Sequence, residues 1–130
     1  MTSIDNVVRI FLEGYGQALS TGDIPAIVNC WEVPALVLAD QGARMVNEAA
    51  EVEQFFTGAV EWYWARGMMA TKPSSVEIKR LSERLVSVDV RWSVIDATGG
   101  ESPSEHSYYI LSISDNGLPH IRVSISLANE

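Results

Sequence analysis

The chain is predicted to be an α+β domain in which three N-terminal helices pack against a curled, mainly antiparallel sheet. Three observations predict this. Apolar residues recur at helical spacing through the first half of the chain and at every second position through the second half. Gly, Pro, Asn and Asp gather between those segments, where turns need their backbone freedom or side-chain acceptors. Helices followed by a run of strands, rather than alternating with them, place the helices on one face of a single sheet. That sheet must curl around the helices to bury that face.

The first helix is carried by Ile4, Val7, Val8, Phe11, Leu12, Tyr15 and Leu19, which form one apolar stripe. Thr2 and Asp5 make a weak capping box at its start, and Gly22 closes it in the left-handed conformation. Asp23 caps a second, short helix with Pro25 in its first turn, where a missing N–H does no harm. Ile27, Val28 and Trp31 face inward until Pro34 stops it. "ALVLADQGARMV" reads as a hairpin, two short apolar runs around "DQG". A third helix is expected from Asn47 as cap to Arg66 and Gly67, with a stripe of Val52, Phe55, Phe56, Ala59 and Tyr63.

Four strands follow, in "SSVEIKRL", "RLVSVDVRWSVID", "EHSYYILSIS" and "PHIRVSISL". In the second, Val86, Val88, Val90, Trp92 and Val94 alternate with polar residues. In the fourth, Ile121, Val123, Ile125 and Leu127 alternate with Arg122, Ser124 and Ser126. Alternation of this kind predicts apolar residues toward the helices and polar ones away from them. "DATGGESPSE" and "SDNGLP" are the intervening turns.

At 130 residues the chain, 1–130, reads as one domain with enough length to bury a core without staples. A net charge of −8 and only nine scattered basic residues exclude a general nucleic-acid or anionic-membrane binder. Cys30 is the single cysteine, so an internal disulfide and CxxC chemistry are excluded, and its apolar surroundings mark it as a small buried hydrophobe. His106 and His120 stand alone at strand edges or turns, without the clustering that a metal site needs. No GxSxG elbow is present. No metal or cofactor is therefore expected. The N-terminus lacks the basic and apolar regions of a signal peptide, and no apolar run approaches the roughly 20 residues of a membrane span, so a cytoplasmic protein is expected.

Taken together, "YGQALSTGD", "AIVNCW", "EVEQFFTGAVEWY" and "VDVRW" resemble the nuclear transport factor 2-like superfamily, with its ketosteroid isomerase-like members, over about Ser3 to Leu127. The resemblance implies a cone: helices in the concavity of a strongly curved, mixed sheet. It also implies a ligand pocket between them and, in many members, a homodimer formed through the sheet. Activities in the family run from isomerases, dehydratases, cyclases and epoxide hydrolases to non-catalytic binding and assembly domains. A ketosteroid isomerase uses an aspartate base, a tyrosine donor and a second, protonated aspartate. Carried over from the "GD" junction, the tyrosine donor matches Tyr15, the base falls on Ala39 with Asp40 one residue later, and the protonated acid falls at about Tyr109. Asp40 would serve only if a bulge turned it inward. Steroid isomerisation by that mechanism is not expected.

The candidate ligand-binding residues are therefore Tyr15, Trp31, Asp40, Trp92 and Tyr109. Each ring has an ordinary alternative as core filling. Tyr109 is the inward member of Tyr108–Tyr109, because Leu111 and Ile113 share its parity. In "EWYW", Trp64 lies furthest from the helix stripe, which calls either for a sheet edge, a pocket rim or a second subunit as its neighbour or, equally, for a helix buried on more than one face. Asp89, Arg91, Arg122, Ser124 and Ser126 are assigned to the polar sheet face, as solvated surface or dimer interface. The expected function is binding of a small hydrophobic molecule, with cofactor-free isomerisation, dehydration or cyclisation if it is an enzyme and Asp40 or Asp89 as base. The competing expectation is a non-catalytic dimerisation module whose pocket is filled by its own rings.

Overall fold

The computed structural model describes residues 3–127. Three helices, α1 (Ile4–Thr21), α2 (Ile24–Asn29) and α3 (Ala49–Ala65), accompany six strands: β1 (Trp31–Ala39), β2 (Gly42–Val46), β3 (Met68–Arg80), β4 (Leu85–Asp96), β5 (Glu101–Ile113) and β6 (Pro119–Leu127). The strands form one sheet in the order β2-β1-β6-β5-β4-β3. Only the β1–β6 pairing is parallel, so the sheet is mixed and mainly antiparallel.

The helix junction is built as the sequence dictates. Gly22 has φ 69°, its N–H bonds back to Ala18, and Asp23 caps α2 by accepting from the Ala26 N–H. At the start of α1 the cap is Ser3, whose hydroxyl accepts from Asn6; Thr2, the expected capping residue, lies outside the described residues. At α3, Asn47 does not cap. Glu48 occupies that position without a side-chain bond, and the Glu51 carboxylate accepts from the Asn47 N–H.

Three expectations about boundaries are corrected. Strand β3 begins six residues before the expected "SSVEIKRL", at Met68. The second helix stops at Asn29, and Trp31 opens strand β1 instead of closing the helix; Pro34 lies inside that strand. The pairing of β1 with β6 is irregular between Trp31 and Leu36, where Pro34 has no N–H to give the ladder. Strand β5 begins four residues earlier than expected, at Glu101, so part of the presumed turn is ladder.

Curvature comes from bulges. Register shifts lie at Pro73/Ser75 in β3, at Trp92/Ser93 between β4 and β5, and at Ile110/Leu111 between β5 and β6. Each inserts extra backbone on one side of a pair and bends the sheet. The concave face receives α1, whose Val8, Leu12, Tyr15 and Ala18 meet Val86, Val88, Val90 and Trp92 of β4, Tyr109 and Leu111 of β5, and Ile121 of β6. The approach is close at Gly16. A Cβ there would stand 3.1 Å from the Thr71 carbonyl and 3.2 Å from the Trp92 ring. Ser20 ties the same helix to edge strand β3: its Oγ accepts from the Thr71 N–H at 2.8 Å.

One bulge changes which residues face the helices. Leu111 pairs with Ile121, but Ile110 pairs with Val123, so Arg122 is the extra residue in β6. Beyond it the parity inverts. Ser124, opposite Tyr109, and Ser126, opposite Ser107, point to the concave side, while Val123 and Ile125 point outward beside Leu36 and Leu38 of β1. The simple alternation expected for this strand therefore holds at Ile121 and fails after it. Arg122 itself is held at the bulge, its Nε donating to the Pro34 carbonyl.

Candidate functional site

The third helix bridges the concavity without filling it. Of its 17 residues only Val52 and Val60 are buried, whereas α1 buries five of 18. The space left between α3 and the sheet is a cavity of about 290 Å³. Tyr15, Trp92, Ser107 and Tyr109 line its buried end. Phe55, Trp64, Arg44 and Glu105 are exposed lining residues and mark where it opens.

Four of the five expected site residues meet here. Tyr15, on the apolar stripe of α1, is the hub of the aromatic cluster, with ring centroids 6.3 Å from Phe11, 6.3 Å from Phe56, 6.1 Å from Trp92 and 6.4 Å from Tyr109. Three of those four contacts are edge-on, the arrangement that the ring quadrupole favours. Trp31 reaches the same point from β1, and its indole N–H donates to the Tyr15 hydroxyl at 3.2 Å. A hydroxyl that accepts from an indole keeps its own O–H for donation. Burial, reinforced by the neighbouring Tyr109, raises the Tyr15 pKa well above its ordinary value, so the hydroxyl is a proton-bearing donor at neutral pH. Burial pushes Tyr109 up to about 12, against opposing hydrogen bonds with Ser107 and Trp92.

Asp40 is not with them. It follows the last residue of β1 in an exposed turn, outside the cavity wall. The β1–β2 register runs without a shift from Ala35 to Ala39, so no bulge turns Asp40 inward. Asp89 is also elsewhere. It sits on the convex face of β4 with its Oδ1 2.8 Å from His106 Nε2.

The carboxylate at the cavity, among the described residues, is Glu105, which is not one of the candidate residues expected from the sequence. It lies two and four residues before Ser107 and Tyr109 on β5 and shares their inward parity. That spacing is visible in the sequence, but Glu105 is also the last residue of the turn-like run "DATGGESPSE". Glu105 accepts a hydrogen bond from the Tyr63 hydroxyl, which ties β5 to α3 across the cavity mouth. Burial first, and then this bond to a carboxylate, hold the Tyr63 pKa far above its ordinary value. Trp64 resolves as a rim residue: it lines the cavity and its ring lies over Gly22 at the α1–α2 junction. Cys30 is half-buried beneath the core, with its thiol pushed up to about 11 by burial, and takes no part in the cavity wall. Among the described residues no group of His, Cys, Asp and Glu is placed to hold a metal ion. No helix among them is long and apolar enough to cross a membrane.

A family model described as NTF2-like protein (DUF6841) matches residues 5–128. No curated protein matches the chain. Among solved structures, a Nostoc punctiforme domain of unknown function with a cystatin-like fold is similar over 100% of this chain and 80% of its own, with 16% identity and a TM-score of 0.73. An NTF-2 like protein of unknown function from Shewanella oneidensis aligns over 95% and 98% of the two chains, with 17% identity and a TM-score of 0.70. A Shewanella frigidimarina protein provisionally named a ketosteroid isomerase aligns over 96% and 98%, with 9% identity and a TM-score of 0.72. At these identities the likeness is one of fold.

Proposed function

The chain belongs to the NTF2-like family (DUF6841), and on that premise we propose that its cavity is a binding site for a small, largely apolar molecule. The observation that carries this reading is the open volume of about 290 Å³ between α3 and the sheet, with the Tyr15 hydroxyl at its buried end. That volume lies at the lower edge of the usual ligand-pocket range of roughly 300–1,000 Å³ and suits a one- or two-ring compound. The competing reading, an association module whose pocket is filled by its own rings, has no need of such a space. A neutral ring compound such as tert-butylbenzene should raise the melting temperature of the wild type, since it binds the folded state alone. Ala59→Trp, which projects an indole from α3 into the cavity, should abolish the shift. No shift in the wild type, or an equal shift in both proteins, would count against the site.

A catalytic reading is favoured by one specific feature, the presence of a carboxylate and a buried hydroxyl donor on the same cavity. Glu105 then takes the role of base and Tyr15 that of donor to a developing oxyanion, in an isomerisation, dehydration or cyclisation. Homodimerisation belongs to the same proposal. Leu36, Leu38, Tyr108, Ile110, Val123 and Ile125 form adjoining cross-strand rows on the convex face, and a second copy of this chain would cover them.

A further inference from the structure

The cavity is more specific in its charge than in its shape. Its walls carry the rings of Tyr15, Trp31, Phe56, Tyr63, Trp92 and Tyr109, and among the described residues the charged ones lining it are Glu105 and Arg44. These two are not equivalent. Arg44 points to solvent and is already matched by Glu51, 3.5 Å away. Glu105 has a neutral partner, the Tyr63 hydroxyl, and no cation is paired with it among the described ion pairs. An unneutralised carboxylate therefore stands at the mouth of a box of aromatic faces, and those faces carry negative charge density of their own.

We propose that the ligand of this cavity carries a cationic nitrogen, an alkyl- or arylammonium whose apolar body enters the ring-lined interior while its charge sits between Glu105 and the aromatic faces. This rests on the reading of the cavity as a ligand site and names the class of molecule it selects. Both elements of the recognition are present: ring faces attract a cation through their quadrupole, and the carboxylate supplies the counter-charge. The indole N–H of Trp31, which would repel a cation, is occupied by the Tyr15 hydroxyl. The serine hydroxyls of the sheet floor, Ser107, Ser124 and Ser126, can turn their lone pairs to any N–H the ammonium bears.

Burial is the main cause that holds Tyr15, Tyr63 and Tyr109 neutral, and the charge of Glu105 adds to it at each of the three. An anionic ligand would meet that same charge, with Arg44 already committed to Glu51. A neutral ring would fill the interior and gain nothing from the carboxylate. Glu105 is itself exposed, so the cation keeps part of its hydration and the cost of stripping it is limited.

The test compares three probes of one ring size by titration of tryptophan fluorescence: phenyltrimethylammonium, its neutral isostere tert-butylbenzene, and benzoate. In the wild type the cation should bind about tenfold more tightly than the neutral isostere, with benzoate weakest. Glu105→Gln keeps an acceptor for Tyr63 while removing the charge. It should weaken the cation by about tenfold and leave tert-butylbenzene unchanged. Tighter binding of tert-butylbenzene or benzoate than of the cation would overturn the proposal while leaving the cavity a ligand site. So would a cation affinity that survives Glu105→Gln. Failure of all three probes to bind would overturn the cavity reading as well.

Discussion

Gly22→Ala tests the packing of the helix junction and of the cavity rim together. Gly22 has φ 69°, where an L side chain costs about 1 kcal/mol. A Cβ at this position would also stand 2.7 and 2.9 Å from two carbons of the Trp64 ring and 3.1 Å from Val60 Cγ1. Trp64 is 48% exposed, so its ring can swing outward, but only by giving up its buried half. Losing part of that contact costs about 1 kcal/mol more at 25 cal/mol per Å² of apolar surface. The total expected is about 2 kcal/mol by urea denaturation, evaluated by linear extrapolation. Gly117→Ala is the control, because Gly117 has φ 81° and nothing within 4 Å of its would-be Cβ. It should cost about 1 kcal/mol, the backbone share alone. In a Trp64→Ala background, Gly22→Ala should fall toward that same value. Equal costs for Gly22→Ala and Gly117→Ala, with no change when Trp64 is removed, would refute the placement of Trp64 over the junction.

Three further outcomes are expected. Tyr109 is held neutral up to about 12, above the unfolded value near 10, so its contribution to stability is complete below pH 10 and is lost as pH rises toward 12; Tyr109→Phe should show a shallower decline over that window in urea titrations. Ser20→Ala leaves the Thr71 N–H without the Ser20 oxygen that accepts it at 2.8 Å and should cost about 1–2 kcal/mol in the same assay, whereas a neutral result would show that α1 is not fastened to β3 there. Ile125→Lys places a charge in the convex apolar rows and should convert a dimer into a monomer in sedimentation equilibrium; a wild type that is already monomeric would remove the dimer from the account.

The legible parts of the fold were those written in local chemistry. The Gly22–Asp23 junction, the stripe of α1 and the alternation in β4 each depend on residues within a few positions of one another, and each appears where the pattern puts it. The rings of Tyr15, Trp31, Trp92 and Tyr109 could be brought to one place because they lie on inward faces. Trp31 arrives there from a strand rather than from a helix, since a short apolar run before Pro34 fits either period. What was not legible depends on pairing across the chain. The extra residue at Arg122 leaves no mark in "PHIRVSISL", yet it exchanges the two faces of β6 and brings Ser124 and Ser126 to the cavity. Glu105 escaped for a related reason: its role depends on Tyr63, 42 positions away, and on a strand that continues through Pro103.

The most direct test of the account is a titration of the protein, labelled with ¹⁵N at tryptophan, with tert-butylbenzene, followed through the four indole N–H resonances. Trp31 and Trp92 line the cavity with Trp64 at its rim, while Trp62 lies outside it under the Arg66 guanidinium, 3.7 Å from the ring centroid. Binding in the cavity predicts saturable shifts of the Trp31 and Trp92 signals with Trp62 unmoved. Unchanged Trp31 and Trp92 resonances at saturating probe, or shifts confined to Trp62, would contradict it.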